Sequence, residues 1–176
     1  MEEIYIKPPR TLMEVYQNLP EGTMAQLINN QIYMSPAPTD NHQRIVVSIV
    51  VQLGGWVEAK GLGSVRVAPY DVYIDNKNAF QPDIVFISNE NTHKIKENGL
   101  HGAPDLVIEI LSPGTRHLDK GSKKNQYERS GVKEYWIINP KNQSTEGFFL
   151  VNNAFQPLPA ETGKITSKLL ELTVIF

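Results

Sequence analysis

Apolar residues recur along this chain with two different periods, and the changes of period mark its elements. Ile45, Val46, Ile49, Val50, Leu53, Trp56 and Val57 keep the i, i+4, i+7/8 spacing of one helical face. Thr39 or Asp40 supplies a cap ahead of them, so a long helix is predicted from there to about Lys60. A short helix is predicted after Thr11 and is stopped by Pro20. Met24–Ile28 and Gln31–Met34 flank Asn29-Asn30, and Phe148–Val151 and Ala154–Gln156 flank Asn152-Asn153. Asparagine tolerates positive φ, so both pairs predict tight hairpins. Val65–Ala68 and Val72–Ile74 follow the strand pattern, with a turn at Asp75-Asn76-Lys77-Asn78. Ile84–Ile87 and Leu106–Leu111 are continuous apolar runs, which suit strands buried on both faces near the centre of a sheet. The polar stretch Asn89–Gly102 predicts a surface loop or short helix. A polar helix is predicted from about Leu118 to Ser130, ended by Gly131, and Glu134–Ile138 is a further strand. The succession predicts the α/β (α+β) class, with a central mixed sheet flanked by helices.

Length and composition narrow the chemistry. With 176 residues and no repeat, low-complexity tract or linker, one domain over residues 1–176 is expected. The absence of cysteine excludes disulfides, thiolate zinc sites, iron–sulfur clusters and thiol nucleophiles. Seventeen Lys+Arg against 19 Asp+Glu give −2, which argues against a polycationic nucleic-acid binder. The balance is uneven, however: Arg116 to Lys133 holds six basic residues and two acids. The N-terminal stretch Met1–Lys7 is acidic and lacks an apolar core, and no run approaches the ~20 apolar residues of a membrane span. A soluble, cytoplasmic protein is expected.

Two carboxylates stand out. Asp83 follows Pro82 at the mouth of the Ile84–Ile87 strand, and Glu109 lies inside Leu106–Leu111. An ionised Glu among five aliphatic neighbours is costly unless a cation or hydrogen bonds compensate. If the two strands pair, Asp83 and Glu109 converge on one divalent ion, and oxygen ligands suit Mg²⁺ or Mn²⁺. The competing interpretation is a Glu at a strand end, salt-bridged or reaching solvent. Asp105 lies four residues before Glu109, ~13 Å along a straight strand, and is expected to be a turn residue at the strand entrance. Lys120, Lys123, Lys124 and Tyr127 fall at i, i+3, i+4 and i+7, one helical stripe near the strand end carrying Glu109. A lysine there orients a water or stabilises phosphate charge; the alternative is a solvated basic face. His42, after Ser35-Pro36-Ala37-Pro38, is a candidate for phosphate binding or proton transfer, against a purely structural role. His93, His101 and His117 lack metal-ligand spacing, and no G-x-G-x-x-G, Walker lysine loop, G-x-S-x-G or H-E-x-x-H occurs.

Several of these stretches form a pattern already known. Pro104-Asp105-Leu106-Val107-Ile108-Glu109-Ile110-Leu111-Ser112-Pro113-Gly114-Thr115-Arg116 continues through Asp119-Lys120-Gly121-Ser122-Lys123-Lys124 and Tyr127 to Gly131–Pro140. Together with Met34-Ser35-Pro36, His42 and Gln81-Pro82-Asp83-Ile84-Val85, it resembles the Uma family of "putative restriction endonucleases", over roughly residues 11 to 176. The resemblance implies membership of the PD-(D/E)xK nuclease-like superfamily, a restriction-endonuclease-like fold, and Mg²⁺- or Mn²⁺-dependent hydrolysis of DNA. By the same resemblance Asp83 and Glu109 are the metal ligands. The usual lysine position, two after the Glu, is Leu111 here; the family's lysine matches Lys123 on the following helix, with Lys124 the adjacent alternative. Arg116, Lys120, Lys124 and His42 are then expected to contact nucleic acid, and cutting two strands favours a homodimer. One departure is visible. Family members read like Glu-Leu-x-Asp-Gly-Glu at the first hairpin, whereas this chain has Gln26-Leu27-Ile28-Asn29-Asn30-Gln31. A catalytically weak or inactive module that binds nucleic acid or a protein partner is therefore the competing expectation.

Overall fold

The computed structural model describes residues 8–112, 114 and 116–176. Met1–Lys7, and Pro113 and Thr115 of the long motif, lie outside the described residues. Helix α1 (Leu12–Gln17) starts where Thr11 accepts a hydrogen bond from the Glu14 N–H. Helix α2 (Asp40–Lys60) starts at Thr39, whose side chain accepts from the His42 N–H, and ends at Gly61 in the left-handed region. Its inward face carries Ile45, Ile49, Leu53 and Val57, all buried, as the apolar spacing predicts.

The first strands are β1 (Ala25–Ile28), β2 (Gln31–Met34), β3 (Gly63–Val67), β4 (Val72–Asp75) and β5 (Asn78–Phe80). They are followed by β6 (Ile84–Ser88), β7 (Ile95–Lys96), β8 (Gly99–His101), β9 (Leu106–Ile110) and β10 (Glu134–Ile138). The last are β11 (Ser144–Val151), β12 (Ala154–Pro157), β13 (Glu161–Thr162), β14 (Lys164–Ser167) and β15 (Leu172–Ile175). Seven strands make a mixed sheet in the order β12-β11-β10-β9-β6-β3, with β13 on β11. Within it β9 and β10 run parallel and the other pairs antiparallel. A second sheet has the order β2-β1-β5-β4-β8-β7, and β14 and β15 form a separate hairpin. Both predicted hairpin turns are present: Asn29, Asn30, Asn152 and Asn153 all have φ between 49° and 62°.

Alternation along the central strands sorts the core into two layers. Ile84, Phe86, Leu106, Ile108, Ile110, Trp136 and Ile138 face α2 and the C-terminal hairpin. Val85, Ile87, Val107, Tyr135 and Ile137 face the other way, against Phe80 and Leu100 of the second sheet and against Leu118 and Tyr127. Gly147 lies across from Trp136, and a Cβ there would fall 2.4 Å from the indole ring, so only glycine fits. By parity Glu109 belongs to the second layer, between the sheets.

The structure adds to the predicted outline in three places. Asn89–Gly102, expected as a surface loop or short helix, holds a 3-10 turn (Asn89–Lys94) and the strands β7 and β8. A second sheet and a C-terminal hairpin accompany the central sheet, built largely from strands of two to four residues. The polar helix begins as α3 (Arg116–Leu118), widens into a π-helical stretch (Asp119–Lys123) and ends as α4 (Lys124–Ser130), capped by Gly131 at φ 87°. Among the described residues no helix is long and apolar enough to cross a membrane.

Candidate active site

The site forms where β6 and β9 meet below the widened helix. Ile84 pairs with Ile108 and Val85 with Val107, and the same register sets Asp83 opposite Glu109. The Asp83 Oδ2 accepts the Ile110 N–H at 2.7 Å and lies 3.2 Å from His42 Nε2. His42 stands in the first turn of α2 and is buried.

Glu109 meets its partners from above. Its Oε1 accepts from Lys123 Nζ at 2.6 Å and from the Tyr127 hydroxyl at 2.9 Å. Lys123 Nζ also lies 2.9 Å from Asp119 Oδ1. Glu109, Asp119 and Lys123 are 4 %, 2 % and 1 % exposed, so this is a buried charge cluster rather than a solvated face. The π-helical stretch explains the alignment. It widens the turn, so that Asp119, Lys123 and Tyr127, four residues apart, all point inward. The Tyr135 hydroxyl donates to the Asp119 carbonyl at 3.0 Å and holds the stretch in place.

These groups line one cleft of about 1050 Å³. Asp83, Glu109, Asp119, Lys123, His42 and Gln26 form its polar wall. Val46, Val47, Val50 and Val51 of α2 and the loop from Ser35 to Pro38 form an apolar wall. Arg116 and Lys141, both exposed, stand at its rim. Gln26 is fixed by accepting the Gln81 N–H at 3.3 Å.

The donor set fits a hard divalent ion. Among the described residues no hydrogen bond uses Asp83 Oδ1 or Glu109 Oε2, and both residues line the cleft. No group of three or more His, Asp or Glu forms a closed cage among the described residues. Mg²⁺ needs none: it is usually held by one or two carboxylates and keeps water or phosphate oxygens as its other ligands.

Burial raises the Glu109 carboxyl from its usual 4.5 to about 8. Lys123 counteracts this, and Asp119 and Asp83 add to the rise. For Lys123 burial favours loss of the proton, but Asp119 and Glu109 outweigh it and hold the ammonium above its ordinary value. Burial and Lys123 thus pull the Glu109 carboxyl in opposite directions, and burial prevails. His42 is likewise disfavoured as a cation by burial, and the Asp83 hydrogen bond and charge lift it above an ordinary histidine. Protonation would place an N–H on Nδ1, which is buried without a partner among the described residues. An unsatisfied donor of that kind costs roughly 1–3 kcal/mol, which limits the rise.

The Glu109 shift has a signed consequence for stability. Below pH 4.5 the carboxyl is protonated in folded and unfolded chains alike. Between 4.5 and about 8 the unfolded chain loses the proton and the folded chain keeps it. Stability from this group is thus full at low pH and is lost as pH rises through that window, by up to about 1.4 kcal/mol per unit. Urea midpoints of the metal-free protein at pH 5.5 and 8.5 are expected to fall for the wild type. They should fall less for Glu109→Gln, which has no proton to lose.

The sequence-predicted residues divide by location. Asp83, Glu109, Lys123 and His42 come together in the cleft, with Arg116 at its mouth. Lys120 instead pairs with Glu146, and Lys124 stacks 3.7 Å over the Phe148 ring. Asp105 sits at the far end of β9, as expected of the strand entrance, but as a buried hub. It accepts from the Ser88 N–H and pairs with Lys133 at 2.8 Å. Burial works to raise its carboxyl, and Lys133 and the amide donors more than offset this. Two cleft residues escaped sequence reasoning. Asp119 is signalled by its i,i+4 spacing to Lys123; Lys141 has no local signal.

Comparison with known proteins bears on the family and the fold. A family model described as "Uma2: Putative restriction endonuclease" matches residues 13–174. The crystal structure of a "putative nuclease belonging to DUF820" from Anabaena variabilis ATCC 29413 superposes with a TM-score of 0.75 at 17% identity, covering 93% of this chain and 92% of that one. The fold is restriction-endonuclease-like. No curated protein matches the chain.

Proposed function

Because the chain belongs to the Uma2 family, we propose that it is a metal-dependent endonuclease hydrolysing DNA phosphodiester bonds. The observation that carries this reading is the meeting of Asp83 and Glu109 in one cleft beside the buried Lys123. Asp83 and Glu109 would hold Mg²⁺ or Mn²⁺, which when bound polarises the scissile phosphate and lowers the pKa of a bound water. Lys123 has three N–H donors; Glu109 and Asp119 take two, and the third orients the attacking water. The two acids also keep its ammonium charged, so it acts as a donor and not as a base. Arg116 and Lys141 at the rim meet flanking phosphates, contacts that position the strand and carry no sequence information. Two cuts in a duplex favour two sites, hence a homodimer.

Purified protein with Mg²⁺ or Mn²⁺ is expected to convert supercoiled plasmid to nicked and linear forms, and a chelator is expected to stop it. A second reading rests on Gln26. This neutral amide faces the cleft where family members carry a glutamate, and a weaker ligand there favours a module that binds without cutting. Nucleic-acid binding unaffected by metal, with no cleavage of plasmid, single-stranded DNA or RNA, would select that reading.

A further inference from the structure

We propose that His42 is a positioning residue for the metal site, holding Asp83 so that one carboxylate oxygen faces the cleft. This rests on the metal-dependent reading above. Asp83 Oδ2 receives two donors, the Ile110 N–H at 2.7 Å and His42 Nε2 at 3.2 Å. Two donors on one oxygen stop the carboxylate from turning, and Oδ1 is left for a ligand. His42 is itself built in. It is 8 % exposed, and its backbone N–H is held by the Thr39 side chain that starts α2. Its Nδ1 is buried and has no partner among the described residues. Nε2 faces a carboxylate oxygen, which only accepts, so Nε2 is the donor in this contact. The nitrogen that would meet a phosphate is therefore already engaged, which separates this role from the phosphate contact expected from sequence. Groups that orient metal-binding carboxylates typically change metal affinity by about 10–100-fold when removed.

The test measures Mn²⁺ affinity of the whole chain by calorimetry for the wild type and for His42→Gln, His42→Asn and His42→Ala. Glutamine sets an N–H near the position of Nε2; asparagine sets its amide near Nδ1, out of reach of Asp83. Asn and Ala are expected to weaken Mn²⁺ binding about 10–100-fold, with Gln restoring most of it. Gln as weak as Asn would mean a packing role and would overturn the proposal. So would equal affinity in all four proteins, which leaves the metal-dependent reading standing. A wild type that binds no Mn²⁺ overturns that reading and this one together. Urea midpoints identify any variant that fails to fold, and the Gln–Asn pair decides the question if Ala is lost.

Discussion

Replacing Lys123 with methionine is expected to destabilise the protein by about 3–5 kcal/mol. The side chain is 1 % exposed and Nζ lies 2.6 Å from Glu109 and 2.9 Å from Asp119. Methionine fills much of the volume, so the loss isolates the charge. What remains is an Asp119 carboxylate, 2 % exposed, that has lost the Lys123 ammonium. Removing one member of a buried pair leaves its partner's desolvation uncompensated, and that is the larger effect. Adding Asp119→Asn to the same chain should recover part of the loss, since the charge that Lys123 balanced goes with it. Lys124→Met serves as the neighbour control. Its ammonium rests over Phe148 and is only half-buried, so about 1 kcal/mol is the expected change. Equilibrium urea unfolding of the metal-free proteins reads all of these. A Lys123→Met protein within 1 kcal/mol of wild type would show that this cation does not balance the cluster.

Asp83→Ala and Glu109→Ala are each expected to lower plasmid cleavage by about 10³-fold or more. The basis is the several kcal/mol that a metal ion contributes to stabilising transition-state charge. The two variants should differ in stability. Asp83→Ala deprives the Ile110 N–H of its acceptor, for roughly 1–3 kcal/mol. Glu109→Ala leaves Lys123 its Asp119 partner, so the charge pair that matters most to the fold survives. Asp105→Asn separates structure from chemistry. It weakens the tie to Lys133 and the Ser88 N–H at the far end of β9, so the folded fraction should cut at the wild-type rate. Cleavage that persists unchanged in both alanine variants would remove Asp83 and Glu109 from the site.

Much of this architecture is written in local pattern. The α2 stripe, the two Asn-Asn turns and the continuous apolar runs of β6 and β9 are each governed by a few neighbouring residues. Helix period, positive φ and burial on both faces follow from them directly. The charged residue inside Leu106–Leu111 was legible for the same reason: its desolvation requires a partner. Other features depend on contacts distant in sequence. Nothing near Asp119 announces a π-helical stretch; the contacts that accompany it, Lys123 to Glu109 and Tyr135 to the Asp119 carbonyl, join residues distant in sequence. Lys120 and Lys124 share the predicted stripe with Lys123, yet the widened turn leaves them with Glu146 and Phe148 instead. The strands β5, β7 and β8 hold two or three residues each, too few to show a period, and are fixed by their partners in the second sheet.

The lysine wedged between two acids also decides the order of events in the life of the molecule. Many small metal-binding domains remain unfolded until an ion neutralises their converging acids. Here Lys123 already stands between Glu109 and Asp119, so under the proposed mechanism folding does not wait for an ion. A molecule made without divalent ions is therefore expected to reach its native shape all the same. Under the proposed mechanism, the arrival of Mg²⁺ switches on chemistry without building structure.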